Sequence, residues 1–302
     1  MTAPSLSVPT ARRRLAIYLV LTFALSLAIQ ARIVALGGPI EAHVGEVFAL
    51  MWAPGLVSLG CRLVWREGVA DVSFRVGRAG GATPWLLAWL SPLAICALAY
   101  GSAWLTGLDR FGAPEASNLG LSELSSPVRF AVVLALTLTI GVPLSALTAL
   151  GEEIGWRGYM LTRLVDAQVP HPILASGLVW GVWHLPLIVS GQYAAGPYPV
   201  LSGLLFLVGT VAAGVLIAYV RLETGSVWAA TLFHASWNAT IQGVFDAFTL
   251  GGGASRTQSF WIGESGVLVV AVHVLVSLLV LRETRVMRRG PRAAAEPLAS
   301  RT

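Results

Sequence analysis

Three short stretches set ionisable side chains inside otherwise apolar sequence. GEEIGWRGYM carries Glu152, Glu153 and Arg157, LVWGVWHLPL carries His184, and TLFHASWNAT carries His234 and Asn238. A carboxylate or imidazole in hydrocarbon costs several kcal/mol, so such residues are functional candidates by default. The set is chemically coherent. A desolvated carboxylate, here Glu152, takes a proton from water and returns it to a leaving amine. A neutral imidazole orients that water, and a second imidazole with an amide N–H stabilises the developing oxyanion. The same Glu152, His184 and His234 are also a ligand set for a divalent metal with an open position. Spacing alone does not choose between the two.

Each residue has a plainer role to set beside this one. Glu153 and Arg157 are four apart, the spacing at which helical side chains meet, so they form an ion pair that orients a helix. Glu152 lies about 100° around from Glu153, with no cation three or four residues on, and its plain role is to reach lipid headgroups. His184 alone reads as a hydrogen-bonded packing residue, and His234 with Asn238 as interhelical hydrogen bonding. Depth argues for convergence. A helix entering near Pro172 carries His184 about 18 Å deep, and His234 lies about 10 Å along its own helix, at about 1.5 Å per residue. Both depths, with Glu152 closing the preceding span, predict one water-containing cavity in the cytoplasmic half.

The elements that must position these residues are membrane helices. Of 302 residues, 56% are hydrophobic and 12% charged, against about 45–50% and about 25% in soluble domains. Apolar runs near 15–36, 44–65, 84–106, 128–150, 172–190, 200–220, 227–247 and 263–281 each approach the roughly 20 residues that cross about 30 Å of hydrocarbon. They lack period-two alternation, so the fold class is all-α, a polytopic integral membrane protein of about eight transmembrane helices. The first run is too long for the h-region of a signal peptide and reads as an uncleaved span. All 20 basic residues are Arg. With the N-terminus inside, sixteen fall on the cytoplasmic side and only Arg32, Arg110, Arg129 and Arg256 opposite, which puts both termini in the cytoplasm. The basic excess is thus a topology signal, and no nucleic-acid surface is expected. The organisation read from this is a basic cytoplasmic tail over 1–14, one transmembrane domain over 15–282 and a basic, disordered cytoplasmic tail over 283–302. Residues 107–127 read as an irregular external loop, and Cys61 and Cys96 as buried thiols.

The three stretches together resemble the CPBP family of intramembrane proteases, which includes type II CAAX prenyl endopeptidases and bacteriocin-processing and immunity proteins. Its motifs are EExxxR, FxxxH and HxxxN or HxxxD, in that order on successive helices. EEIGWR and FHASWN match, while WGVWH sets Trp180 where the family usually has Phe and keeps His184. The resemblance covers about residues 127–247, taken as the protease core. It implies that Glu152 activates water with His184, that His234 and Asn238 assist at the oxyanion or at a metal, and that Glu153, Arg157 and Trp180 support them. It leaves the cofactor as either a divalent metal such as zinc or none. It implies a multi-pass protein of the cell membrane, in a bacterium the plasma membrane, with the lipid bilayer and a peptide or protein substrate, lipidated or not, as partners. Two other function classes compete: a protease-like membrane scaffold or immunity protein that does not cleave, and a proton-linked transporter. The remaining histidines, His43, His171 and His273, read as structural.

Overall fold

The computed structural model describes residues 6–76, 81–113, 121–250 and 259–283. Among them the chain is helical, without a strand; a single isolated bridge joins Phe111 to Thr249. Eight helical rods follow one another: α1 Val8–Leu36, α2 Val44–Trp65, α3 Thr83–Thr106, α4 Ser126–Asp166, α5 Pro172–Val189, α6 Pro199–Thr224, α7 Val227–Thr240 with a further π-turn Ile241–Phe245, and α8 Val267–Glu283. The first six are long and apolar enough to cross a membrane, α8 is a shorter apolar helix, and the protein is a polytopic all-α membrane protein. Large apolar side chains such as Val20, Leu63 and Leu105 point outward, as a lipid-facing surface requires. Arg12, Arg13 and Arg14 belong to the opening turns of α1 rather than to a tail. The C-terminal tail from 284 lies outside the described residues. Cys61 and Cys96 are buried free thiols.

The fourth apolar run does not stop at Leu150. The helix continues to Asp166, interrupted by π-turns at Thr137–Gly141 and Trp156–Met160. Pro143 has no N–H to give the preceding turn, which accounts for the first π-turn just ahead of it. Along α4 the surroundings change. Up to Leu147 only Arg129 and Val142 of the rod are buried, whereas every residue from Gly151 to Leu161 is. A helix buried on all sides runs through the middle of a bundle, so GEEIGWRGYM lies inside the protein and not at a membrane surface.

Small residues make that passage narrow. A Cβ on Gly151 would stand 2.8 Å from Trp52 Cα, and one on Gly155 2.4 Å from Pro54 Cβ, both on α2. On α5, a Cβ on Gly177 would stand 2.8 Å from Val211 Cα and one on Gly181 2.3 Å from Thr210 Oγ1, both on α6. Both pairs have the small-xxx-small spacing that lets membrane helices approach backbone to backbone.

The two ends of the bundle differ. At one, Glu67 and Asp71 of the α2–α3 connection are clamped by arginines. Arg163 reaches Glu67 at 2.9 Å and Asp71 at 3.2 Å, Arg14 pairs with Glu67, and Arg62 pairs with Asp71. Arg221 donates to the Asp71 and Val72 carbonyls at 3.0 and 3.2 Å. Arg12 donates to the Ala167 carbonyl at 3.2 Å, and Val227 N–H to the Ser73 carbonyl at 3.0 Å, which brings the start of α1, the α4–α5 turn and the α6–α7 turn to this same end. The opposite end is made of the α1–α2, α5–α6 and α7–α8 connections.

Candidate active site

Glu152 and Glu153, adjacent in sequence, diverge around the buried helix. Glu152, 2% exposed, forms part of the wall of a cavity of about 610 Å3, which Glu153 and Arg157 do not line. Its Oε2 accepts two indole N–H groups, from Trp180 of α5 at 2.8 Å and from Trp156 one turn along α4 at 3.1 Å. The carboxylate is thereby fixed to two rigid rings from different helices.

Glu153, fully buried, turns the other way. Its Oε1 accepts from Arg157 Nη1 at 2.7 Å and from His234 Nδ1 at 2.9 Å. The predicted ion pair forms, and the same oxygen also holds the imidazole of α7. Arg157 lies over the Trp180 ring, 4.4 Å from its centroid, a cation–π contact in a water-poor setting. Glu153 Oε2 and Arg157 Nη2 have no hydrogen-bond partner, so the pair is single-pronged.

The tautomers follow from the partners. A carboxylate only accepts, so Nδ1 of His234 carries hydrogen and Nε2 is its remaining polar edge. His184 Nδ1 lies 2.8 Å from the Trp180 carbonyl, one turn back, which also only accepts; in neutral His184 the Nε2 is then an acceptor. Trp180 packs against both imidazoles, with centroids 5.7 Å from His184 and 5.3 Å from His234. Both histidines line the cavity with Glu152, and Asn238 lines it too. All four predicted catalytic side chains therefore share one space; of the supporting ones, Trp180 lines it too, while Glu153 and Arg157 stand behind it.

A metal cage is not assembled from them. Among the described residues no group of three His, Cys, Asp or Glu side chains is placed to hold a metal ion.

The direction of the cavity also departs from expectation. Its wall continues through Ile40 and Glu41 of the α1–α2 connection, Gln192 and Tyr193 of the α5–α6 connection, and Gly263 and Glu264 before α8. It reaches the end of the bundle opposite the arginine clamp, whereas the sequence predicts a cavity on the arginine side. That expectation assumed that α4 ends at Glu152; the helix runs on for another fourteen residues, and those turns fill the arginine end. Further polar groups of the wall, Tyr193, Gln242, Asp246 and Glu264 among them, lie outside the three motifs. His273, read as structural, is 3% exposed, meets Trp237 edge-on with ring centroids 4.4 Å apart and lines the cavity. Gln242 follows His234 by eight residues, two turns on the same helix face, and that spacing was the available signal.

This arrangement coincides with the region that known proteins share. A family model described as type II CAAX prenyl endopeptidase, Rce1-like, matches residues 127–240. This segment is what the chain shares with that family. The CAAX prenyl protease 2 of Methanococcus maripaludis is 32% identical over 135 residues, 43% of this chain and 46% of that protein. The chain thus spans less than half the length of this curated relative in the match. The family segment contains α4, α5, α6 and α7 down to Thr240, which supply every predicted site residue; α2 and α8 add to the cavity wall from outside it.

Proposed function

We propose that the protein is a membrane endopeptidase that hydrolyses peptide bonds of membrane-associated peptides or proteins with water activated by Glu152. The observation that carries this reading is the meeting of one indole-fixed carboxylate and the Nε2 edges of two imidazoles, each held through Nδ1, in a single cavity. Water sits where His184 Nε2 accepts one hydrogen and Glu152 takes the other as its oxygen attacks the carbonyl carbon. Protonated His234, through Nε2–H, and the Asn238 amide stabilise the tetrahedral oxyanion. Glu152 then returns its proton to the leaving amine as the C–N bond breaks. Glu153 and Arg157 act behind this shell by holding His234 and the Trp180 ring. The names of the matched family and relative make lipidated substrates, of CAAX type, the first class to test.

By the positive-inside rule the arginine-clamped end faces the cytoplasm, and the cavity receives its substrate from the other side. The test is mass spectrometry of membrane-protein termini in cells carrying the wild-type protein or Glu152→Gln at matched abundance. Loss of a general acid–base is expected to cost about 10²–10⁴-fold, so new termini appear only with the wild type. Identical profiles, with a deletion phenotype rescued by both, overturn the peptidase reading in favour of a scaffold.

A further inference from the structure

Among the described residues His184 has one hydrogen bond, from Nδ1 to the Trp180 carbonyl at 2.8 Å. One bond fixes a point and leaves the ring a pivot, so the direction of Nε2 is decided by the rings that enclose the imidazole. Trp183 and Trp180 meet it edge-on, with centroids at 4.7 and 5.7 Å, and Phe206 of α6 lies tilted at 4.9 Å. Tyr193 is the nearest to parallel of these four rings, 26° from the imidazole plane with centroids 5.9 Å apart, close to the offset stack that aromatic rings prefer. The other three rings stand on helices. Tyr193 stands in the α5–α6 connection, and a loop side chain keeps one orientation when it is tied down elsewhere.

The tie is Glu264. Its Oε2 accepts from the Tyr193 hydroxyl, and its Oε1 accepts from the Gln242 amide, in the π-turn after α7, at 2.9 Å. One residue further along each connection, Ser265 Oγ donates to the Ala194 carbonyl at 2.5 Å. Two adjacent bonds thus fasten the α5–α6 connection to the chain before α8. Tyr193, Gln242 and Glu264 line the cavity with His184, and Gln242 and Glu264 lie beyond the segment 127–240 that the family model matches.

We propose that Tyr193 and Glu264 are positioning residues for His184: Glu264 anchors the Tyr193 hydroxyl, and the anchored ring keeps the imidazole turned so that Nε2 holds the water that Glu152 deprotonates. The inference rests on the reading that His184 orients this water. Neither residue touches the scissile bond. Loss of the anchor lets the Tyr193 ring swing away and the imidazole pivot about its bond to Trp180, so the water loses an acceptor while the rest of the binding wall is retained. A misplaced reacting group slows turnover, and a change felt only in the transition state lowers kcat and kcat/KM equally.

The test uses the full chain in lipid nanodiscs with isotope-labelled histidine rings, read by NMR. The Cε1–H signal of His184 is identified by its loss in His184→Asn, and its place in Tyr193→Ala marks an imidazole without the stacked ring. Tyr193→Phe keeps the ring and removes the hydroxyl, and Glu264→Leu removes the acceptor. In both, the signal is expected to move toward its place in Tyr193→Ala, whereas Glu264→Gln, which still offers the hydroxyl an acceptor, is expected to leave it near the wild-type position. A wild-type signal in both Tyr193→Phe and Glu264→Leu overturns the proposal, and this readout needs no turnover. Cleavage is measured with a farnesylated peptide ending in a CAAX segment. Tyr193→Phe and Glu264→Leu are each expected to lower kcat at least about ten-fold with KM unchanged, and the double variant to fall no further, since the two act through one contact. If the signal moves and kcat does not, the proposal falls and the peptidase reading stands. If the signal moves and the wild type leaves this peptide intact, the anchoring of His184 stands and the peptidase reading with this substrate falls.

Discussion

At Glu152 a single oxygen receives two indole N–H groups, and that detail gives meaning to the Trp at position 180. The family usually has Phe there. An aromatic wall is all that such a ring can offer, whereas the indole adds a hydrogen bond to a carboxylate, a charge-assisted contact worth about 1.5–3 kcal/mol. The same Trp180 backs Arg157 with its ring face and His184 with its carbonyl. Trp180→Phe keeps the face and the carbonyl and deletes one donor, while Trp156 continues to hold the carboxylate. We expect kcat/KM to drop about ten-fold with an unchanged thermal midpoint in detergent. Unchanged kcat/KM would show that Trp156 alone fixes Glu152.

At the scale of elements, two glycine pairs do what the polar residues cannot do for themselves. Gly151 and Gly155 bracket the two glutamates, and Gly177 and Gly181 bracket Trp180, so each motif helix is pressed against its neighbour where its chemistry lies. Gly155→Ala brings a methyl group within 2.4 Å of Pro54 Cβ. Over-packing of this kind costs about 1–3 kcal/mol, and relief requires α4 to move away from α2, taking Glu152 with it. Thermal unfolding of the purified variant is expected at a lower temperature, with turnover reduced more than substrate affinity. An exposed control, Gly60→Ala on the open face of α2, is expected to change neither. The π-turns belong to the same scale. One follows the paired glutamates and another follows Asn238; such turns re-aim side chains within a helix and gather at functional sites.

For the whole molecule, the question is which face of the membrane the cavity serves. The clamp around Glu67 and Asp71 ties α1, α2, α4 and α6 together at the arginine end. Several of the arginines that set topology are therefore also structural. With Cys61 and Cys96 replaced by Ala, a membrane-impermeant maleimide applied to intact cells is expected to label Gln192→Cys at the cavity mouth. Arg13→Cys should react only after permeabilisation. The reverse pattern would turn the molecule over and make the cavity cytoplasmic.

Much of this was legible in the chain itself. Hydrophobic runs of about 20 residues can satisfy their backbones in lipid only as helices, so composition and run length determined the all-α membrane fold and the approximate places of the helices. Four-residue spacing determined the Glu153–Arg157 pair, and the order of the motifs pointed to the four side chains that share the cavity. The tertiary structure alone decided what depends on contacts distant in sequence. A run of polar residues ends an apolar segment on a hydropathy scale, yet α4 continues through it because α2, α5 and α7 surround those turns. That is why Glu152 lies within the bundle, why Glu153 also holds His234 from 81 residues away, and why the cavity opens at the opposite end. His273 shows the same limit: among valines it reads as packing, and only the packing of α8 against α6 and α3 brings its ring to the cavity wall.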